Sequence, residues 1–235
     1  WGSALAISFS AQHEVHLWTR DGAAAQLLRA TRASRYLPGA ILPDPIHVGH
    51  DLAAAAGDCE LVIIATATAG LRETAIALGA VSSSPALVWA CKGFETATGE
   101  LPHQVVAQAL PSARRVAALS GPSFALEVAA GLPAALVCAS NDAAFAAEIA
   151  TRLNSARLRI YSSADLAGVE LGGALKNVIA IAAGISDGLA LGRNARAALV
   201  TRGLAEVTRL GVAMGGRPET FAGLAGLGDL VLTCT

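Results

Sequence analysis

Aromatic residues and cysteines are scarce in this sequence of 235 residues. Phe, Trp and Tyr make up 4% of the chain although 54% of it is hydrophobic, so Ala, Val, Leu and Ile supply most of the apolar content. This composition favours closely packed helices and buried parallel strands over an aromatic binding surface. The four cysteines show no paired spacing, which argues against a zinc site and a disulfide framework and predicts a reduced, cytoplasmic protein.

Charge of one sign and long uncharged runs are also lacking. Seventeen basic and eighteen acidic residues leave a net charge of -1, and no run of lysines or arginines is present, so we expect no nucleic-acid partner. The uncharged windows 128–141 and 177–186 are shorter than the ~20 residues that a membrane span needs, so we expect no span. We also expect no targeting signal, because no charged and then apolar leader is visible.

Short apolar runs recur through the first two thirds of the chain. The segment 13–18 alternates apolar and polar residues, as a strand does, and continuous apolar runs follow at 61–67, 86–92, 115–120 and 134–140. Buried strands separated by helical or loop segments are typical of a parallel sheet. The three prolines of 36–45 predict a loop there.

The pattern changes after residue 163. Apolar residues then recur at helical spacing through 169–188 and 196–214. We therefore predict an α/β domain over 1–163, with a Rossmann-like doubly wound parallel sheet, and an all-α domain over 164–235.

Several residues at predicted strand ends suit a dinucleotide. Gly2 would let the first helix pack closely on a strand and offer backbone N–H groups to a pyrophosphate. Arg20 lies just after the strand at 13–18, at the position where such folds bind the ribose. An arginine there favours NADP(H), and NAD(H) is the alternative because Asp21 follows.

A positive crevice is predicted at the same edge of the sheet. Lys92 follows a buried strand, and Pro122 predicts a helix start whose free N–H groups lie near Ser123 and Phe124. Together with Arg20 these groups would accept a phosphate.

The segment 169–188 holds a lysine that its apolar neighbours do not explain. The helix predicted here offers little polar face for the side chain of Lys176. Gly172 and Gly173 would let another backbone approach this helix. By contrast, His47 and His50 lie in a predicted loop without an acidic or cysteine pair nearby, so we predict no metal site.

With these motifs in order, the chain resembles the bacterial NAD(P)-dependent glycerol-3-phosphate dehydrogenases over nearly its whole length. The motifs are WGSALA (1–6), CKGFE (91–95), LSGPSFALEVAAGLP (119–133), GVELGGALKNVIAIAAGISDGL (168–189), NARAALVTRGLAE (194–206) and GLAGLGDLVLTCT (223–235). The resemblance implies reversible reduction of dihydroxyacetone phosphate to sn-glycerol 3-phosphate for glycerophospholipid synthesis.

The resemblance also implies roles for individual residues. Lys176 is the proton donor or acceptor, and burial and Asp229 would shift its pKa in opposite directions. Lys92 reaches substrate and cofactor. The other matching positions are Gly121, Ser123, Asn177, Asp229 and Thr233 for the substrate, and Trp1, Gly2, Arg20 and Ala125 for the cofactor. A homodimer fits the small-residue helices of the second domain.

Three departures from the family pattern modify these expectations. The family's first strand and leading glycines do not precede Trp1, and Ala67 stands where many relatives have a proline. The chain ends at Thr235, before the serine-arginine-asparagine segment expected to bind the substrate phosphate. We therefore expect a sheet without its first strand and a truncated helical domain.

Two other interpretations stay open on the residues alone. One is a different NADP-linked reductase of small acids or sugars, for which a phosphate-accepting crevice argues against substrates that carry only a carboxylate. The other is a catalytically silent nucleotide-binding or assembly module, in which Lys92, Lys176 and Asp229 would have no use.

Overall fold

The computed structural model describes residues 1–81 and 86–235. Its strands are β1 (Val15–Trp18), β2 (Ile46–Gly49), β3 (Leu61–Ile64), β4 (Ala86–Trp89), β5 (Val116–Ser120), β6 (Ala134–Ala139) and β7 (Leu158–Ser163). Its helices are α1 (Gly2–Phe9), α2 (Gly22–Thr31), α3 (Leu52–Ala56), α4 (Leu71–Val81), α5 (Pro102–Ala109), α6 (Ala125–Ala129), α7 (Ala143–Leu153), α8 (Leu166–Gly188), α9 (Gly192–Ala213), α10 (Pro218–Ala222) and α11 (Asp229–Thr233). A 3₁₀ turn covers Thr68–Gly70 and a π-helical turn covers Leu224–Gly228.

The strands form two sheets. β1 and β2 pair in parallel, and β3 to β7 form a second sheet in chain order. Within the larger sheet β3, β4 and β5 are parallel, so their carboxyl ends meet at one edge. Residues that follow these three strands are therefore brought together although they lie far apart in the sequence.

The predicted Rossmann-like doubly wound parallel sheet is confirmed, but one pairing departs from it. β6 runs antiparallel to β5, and β7 is parallel to β6. A parallel return needs a crossover that spans the sheet, whereas residues 121–133 hold only the short helix α6 between Gly121 and Gly131. Both glycines have positive φ, 137° and 70°, a conformation that suits tight turns. The chain therefore reverses direction between β5 and β6. A buried apolar run looks the same in either direction, so the sequence pattern did not show this reversal.

Helices cover both faces of the larger sheet, as the doubly wound prediction requires. On β4, Leu87 and Trp89 pack with α4 and α5, while Ala86 and Val88 face the cluster built with α1 and α7. The side chains alternate because successive residues of a strand point to opposite faces. All four are buried, and full burial of a Val or Leu side chain contributes about 1.5–3 kcal/mol. This accounts for the unbroken apolar run in the sequence.

Strand β2 is missing from the sequence-based prediction. The predicted loop at 36–45 is irregular, as expected, but Ile46–Gly49 is a strand whose Ile46 and Val48 are buried. His47 thus lies in a strand and not in a loop. Strand β2 has only four residues, between Pro45 and His50, which is too short for a clear alternation of apolar and polar residues in the sequence.

All described residues after Ser163 are helical or in turns. The 23-residue helix α8 packs along α9, and Gly203 of α9 allows the approach because a Cβ there would lie 2.7 Å from Ile179 Cγ2. At the other end of α9, a Cβ on Gly211 would overlap the ring of Phe221. Small residues therefore set the spacing of these helices.

Helix α8 is long and apolar enough, by length and composition, to cross a membrane. The core helix of a soluble protein meets the same criterion, and 44% of the relevant window of α8 is buried inside the fold. It also carries Glu170 and Lys176, whose side chains are held by other parts of the chain.

Candidate active site

The carboxylate of Asp229 joins the two lysines of the sequence. It accepts a hydrogen bond from Lys92 Nζ at 2.5 Å and from Lys176 Nζ at 2.6 Å, one on each oxygen. The Asp229 side chain is only 2% exposed. We refer to Lys92, Lys176 and Asp229 as the lysine–aspartate cluster; two ammonium groups and one carboxylate give it a net charge of about +1.

Lys92 reaches the cluster from the end of β4. It follows that strand by three residues, and its Nζ also donates to the carbonyl of Gly121 at 3.2 Å. Burial lowers the pKa of Lys92 and the nearby Lys176 lowers it further, while Asp229 raises it, and burial is the largest cause. The net effect is a lysine that releases its proton more easily than an exposed one.

Lys176 reaches the same carboxylate from the middle of α8. Its Nζ donates to Thr233 Oγ1 at 2.9 Å, and the Thr233 hydroxyl donates to the carbonyl of Asp229 at 2.7 Å. An ammonium group has three N–H donors. Within the part of the chain that the structure describes, two of them have partners, so one remains to donate to a ligand.

The glycines before Lys176 allow this approach, as the sequence predicts. A Cβ on Gly172 would lie 2.4 Å from the carbonyl oxygen of Ala225 in the turn before Asp229. A Cβ on Gly173 would lie 3.1 Å from Ser120 Oγ and 3.2 Å from Cγ of Lys92. One glycine therefore admits the backbone that carries the carboxylate, and the other admits the stem of the partner lysine.

The turn after β5 forms the next side of the site. Gly121 has φ 137°, and a Cβ there would lie 3.1 Å from the carbonyl oxygen of Ala135, so the position requires glycine. Ser123 Oγ donates to the Gly121 carbonyl at 3.1 Å. The predicted helix start is wrong by a few residues: Pro122 and Ser123 lie in the turn, Phe124 is the N-cap, and α6 begins at Ala125. The positive φ of Gly121, and not Pro122, sets the backbone conformation of this turn.

The predicted cofactor residues meet beside this turn. Trp1 precedes α1, which begins at Gly2 without a side-chain cap. Trp1 and Ala125 pack on the same small apolar cluster. Trp1, Lys92 and Ser123 also line one cavity, together with Ala90, Leu119, Ser120 and Leu136. The cavity thus connects the predicted cofactor side to the lysine–aspartate cluster.

Two predicted site residues lie outside these contacts. Arg20 follows β1 and donates to Glu73 of α4 at 2.6 Å, with 74% of its side chain exposed. Asn177 follows Lys176 on α8 but is exposed, because a one-residue step turns a helix by about 100°. Neither side chain touches the lysine–aspartate cluster directly in the structure.

The sheet edge fits a nicotinamide dinucleotide. Among the described residues, three side-chain hydroxyls are buried without a hydrogen-bond partner. One is Ser186 in α8; the other two, Thr66 Oγ1 and Ser120 Oγ, lie at the carboxyl ends of β3 and β5. A buried hydroxyl without a partner costs about 1–3 kcal/mol, which a polar ligand at this edge would offset. The uncapped start of α1 adds backbone N–H groups that can donate hydrogen bonds to a phosphate.

Glu170 is a functional candidate that the sequence reasoning missed. Its carboxylate is buried in α8 and accepts hydrogen bonds from Trp89 Nε1 at 2.8 Å and the backbone N–H of His103 at 2.9 Å. His103 Nδ1 lies 2.5 Å from the other oxygen. Glu170 therefore ties the helix of Lys176 to the strand that leads to Lys92. The signal was present, since Glu170, like Lys176, is a charge in an apolar, glycine-rich segment.

Comparison with known proteins covers both parts of the chain. Residues 1–146 match the family model described as NAD-dependent glycerol-3-phosphate dehydrogenase N-terminus, and residues 165–235 match the model of its C-terminus. The glycerol-3-phosphate dehydrogenase [NAD(P)+] of Nitrosomonas eutropha is 58% identical over 236 residues, covering 100% of this chain and 72% of the relative. That of Dechloromonas aromatica is 54% identical with the same coverage.

Solved structures agree with these relatives. The crystal structure of glycerol-3-phosphate dehydrogenase from Coxiella burnetii superposes with a TM-score of 0.94 at 41% identity, covering 100% of this chain and 73% of that one. Glycerol-3-phosphate dehydrogenase from Saccharomyces cerevisiae superposes with a TM-score of 0.84 at 26% identity, covering 100% and 74%.

Proposed function

Because the chain belongs to the NAD-dependent glycerol-3-phosphate dehydrogenase family, we propose that its lysine–aspartate cluster carries out the proton transfer of that reaction. The family reaction is the NAD(P)-dependent interconversion of dihydroxyacetone phosphate and sn-glycerol 3-phosphate. The observation that carries the proposal is the bridging of Lys92 and Lys176 by the buried carboxylate of Asp229, at 2.5 and 2.6 Å.

Lys176 is the proposed proton donor. When bound, the nicotinamide cofactor supplies the hydride to the carbonyl carbon of the substrate. The carbonyl oxygen then gains negative charge, and the free N–H of Lys176 can donate to it and transfer the proton. The C=O π bond is then replaced by the C–H bond that the hydride forms and the O–H bond that the lysine proton forms, and the lysine regains a proton from solvent. In the reverse direction the neutral amine accepts the alcohol proton.

Asp229 and Lys92 have proposed supporting roles. Asp229 fixes the position of both ammonium groups, and Thr233 limits the rotation of Lys176 Nζ. Lys92 belongs to the lysine–aspartate cluster and also lines the cavity with Trp1 and Ser123, so it can orient substrate and cofactor together. The positive charge of the cluster attracts a phosphorylated substrate, and buried charges attract more strongly than exposed ones. Gly121, Ser123 and Asn177 are the further substrate contacts that we propose.

The proton-transfer proposal is tested by NADPH absorbance with dihydroxyacetone phosphate. Lys176→Ala should lower kcat by at least about a hundredfold, the lower range for general acid catalysis. The matched control is Arg209→Ala, which removes a cation from an exposed ion pair on α9 and should leave kcat unchanged. Near-parental turnover of Lys176→Ala would refute the assignment.

For the cofactor, we propose NADP(H) as the preferred form, bound by Trp1, Gly2, Arg20, Lys92 and Ala125. Arg20 is exposed at the sheet edge and can leave Glu73 to meet a 2′-phosphate. Arg20→Ala should reduce kcat/KM for NADPH more than for NADH, with Arg209→Ala as the control. An unchanged ratio would remove Arg20 from this role.

We further propose a domain boundary between residues 163 and 164, a cytoplasmic location, a homodimer and a role in glycerophospholipid synthesis. The change from strands to helices after Ser163 supports the boundary. Exposed apolar side chains on α8, namely Val178, Ile181 and Ile185, support the homodimer, which sedimentation would test.

A further inference from the structure

The parallel register of β1 and β2 places two histidines side by side. His16 is paired with His47 in this register, and their rings lie 4.9 Å apart between centroids. In the sequence these residues are 31 positions apart. Strand pairing thus creates a histidine pair that spacing along the chain does not reveal.

Glu14 adds a carboxylate to this pair. Glu14 Oε1 lies 3.0 Å from His16 Nε2 and 3.9 Å from His47 Nε2. One ligand atom from each of the three residues lies within 4.8 Å of the others, and all three residues are exposed. We call Glu14, His16 and His47 the histidine–glutamate cluster; it is the one group of this kind within residues 1–81 and 86–235.

The separation of these atoms suits a tetrahedral metal ion. Zinc bonds of about 2.0–2.2 Å to nitrogen and oxygen require ligand atoms about 3.3–3.6 Å apart. The two distances from Glu14 Oε1, 3.0 and 3.9 Å, bracket that range. The ligand atoms of the two histidines lie within 4.8 Å of each other, so rotation of these exposed side chains can bring the three atoms to metal-binding distance. Two imidazoles and one carboxylate favour zinc-like transition metals over Mg²⁺ or Ca²⁺, which prefer oxygen ligands.

We propose that the histidine–glutamate cluster binds Zn²⁺ or a similar divalent transition metal and clamps β1 to β2. His16 lies on β1 and His47 lies opposite it on β2, so a metal bound by both would tie the two strands together. The metal completes its shell with water because the cluster faces solvent. This site is separate from the lysine–aspartate cluster, and its existence does not depend on the reaction proposed above.

The test is a calorimetric titration of the chain with Zn²⁺, after removal of any affinity tag and of bound metal. The parent should bind one equivalent that Mg²⁺ does not replace. His47→Ala and His16→Ala should each weaken binding by at least about tenfold, since even outer-shell changes cost 10–100-fold. The matched control is His50→Ala, an exposed histidine just beyond β2 that lies outside the cluster, and it should bind like the parent.

A second measurement separates these ligands from the four free cysteines. Paramagnetic Co²⁺ should broaden the ring signals of His16 and His47 before those of His13, His50 and His103. Zn²⁺ should also raise the Tm of the parent but not that of His47→Ala, whose side chain is 64% exposed and leaves little packing to lose. The proposal fails if the parent shows no saturable binding or if His47→Ala binds as tightly as the parent.

Discussion

Replacing Asp229 by Asn tests whether one buried carboxylate holds the site together. The substitution keeps the size of the side chain but removes the charge between two ammonium groups, at a position that is 2% exposed. Removing one partner of a buried ion pair costs about 3–5 kcal/mol. Since small domains are stable by only about 5–15 kcal/mol, the free energy of unfolding should fall by a large fraction.

The loss should depend on pH in a defined direction. Without Asp229, burial and the nearby Lys176 lower the pKa of Lys92 with no carboxylate to oppose them, so its pKa in the folded state lies further below the value of about 10.4 in the unfolded chain. Between the folded and unfolded pKa values the unfolded chain then binds more protons, so stability rises with pH. In the parent, the lowered pKa of Lys92 gives a slope of the same sign, and the variant should show a steeper one.

The measurement is urea unfolding of parent and variant at several pH values from neutral to about 10, with lysine side chains labelled for NMR. The sequence has two lysines, so two titrating side chains report on the cluster directly. The matched control is Asp187→Asn, which removes the acidic partner of an exposed pair with Arg196 at 3.1 Å. An exposed pair contributes about 0–1 kcal/mol.

The reasoning is wrong if Asp229→Asn loses no more stability than Asp187→Asn. It is also wrong if the stability difference between Asp229→Asn and the parent grows as pH rises. Either result would mean that the two ammonium groups do not depend on this carboxylate in the folded protein.

Substitutions at three further positions test individual contacts. Gly173→Ala places a Cβ 3.2 Å from the stem of Lys92, so we expect a lower kcat with little change in Tm; a parental kcat would show that the lysine adjusts without cost. Glu170→Ala leaves buried donors unpaired and should cost about 2–5 kcal/mol in urea unfolding, whereas Glu170→Gln should retain most of that stability. Arg72 hydrogen bonds and the Thr98 hydroxyl lower the pKa of Glu95 to about 2, so its contribution to stability is lost between about pH 4.3 and pH 2. Arg72→Met should therefore flatten the fall in Tm over that range, and an unchanged acid profile would count against the pair.

Part of the site could be predicted because certain residues conflict with their local sequence. Lys176 stands in an apolar helix, and Lys92 follows a buried strand, so both needed an explanation beyond local structure. Glu170 presents the same conflict, because it is a charged residue in the same apolar segment as Lys176. Arg20 and Asn177 are both exposed and show no such conflict with their local sequence, so this signal did not single them out.

The sequence by itself determined the alternation of buried strands and helices, the change to helices after residue 163 and the close approach of backbones at Gly172 and Gly173. These features follow from side-chain size and periodicity, which are local properties of the chain. Only the tertiary structure decided the reversed direction of β6, the meeting of both lysines on Asp229 and the pairing of His16 with His47. Each of these depends on which distant segments become neighbours, and that is settled by the packing of the whole fold.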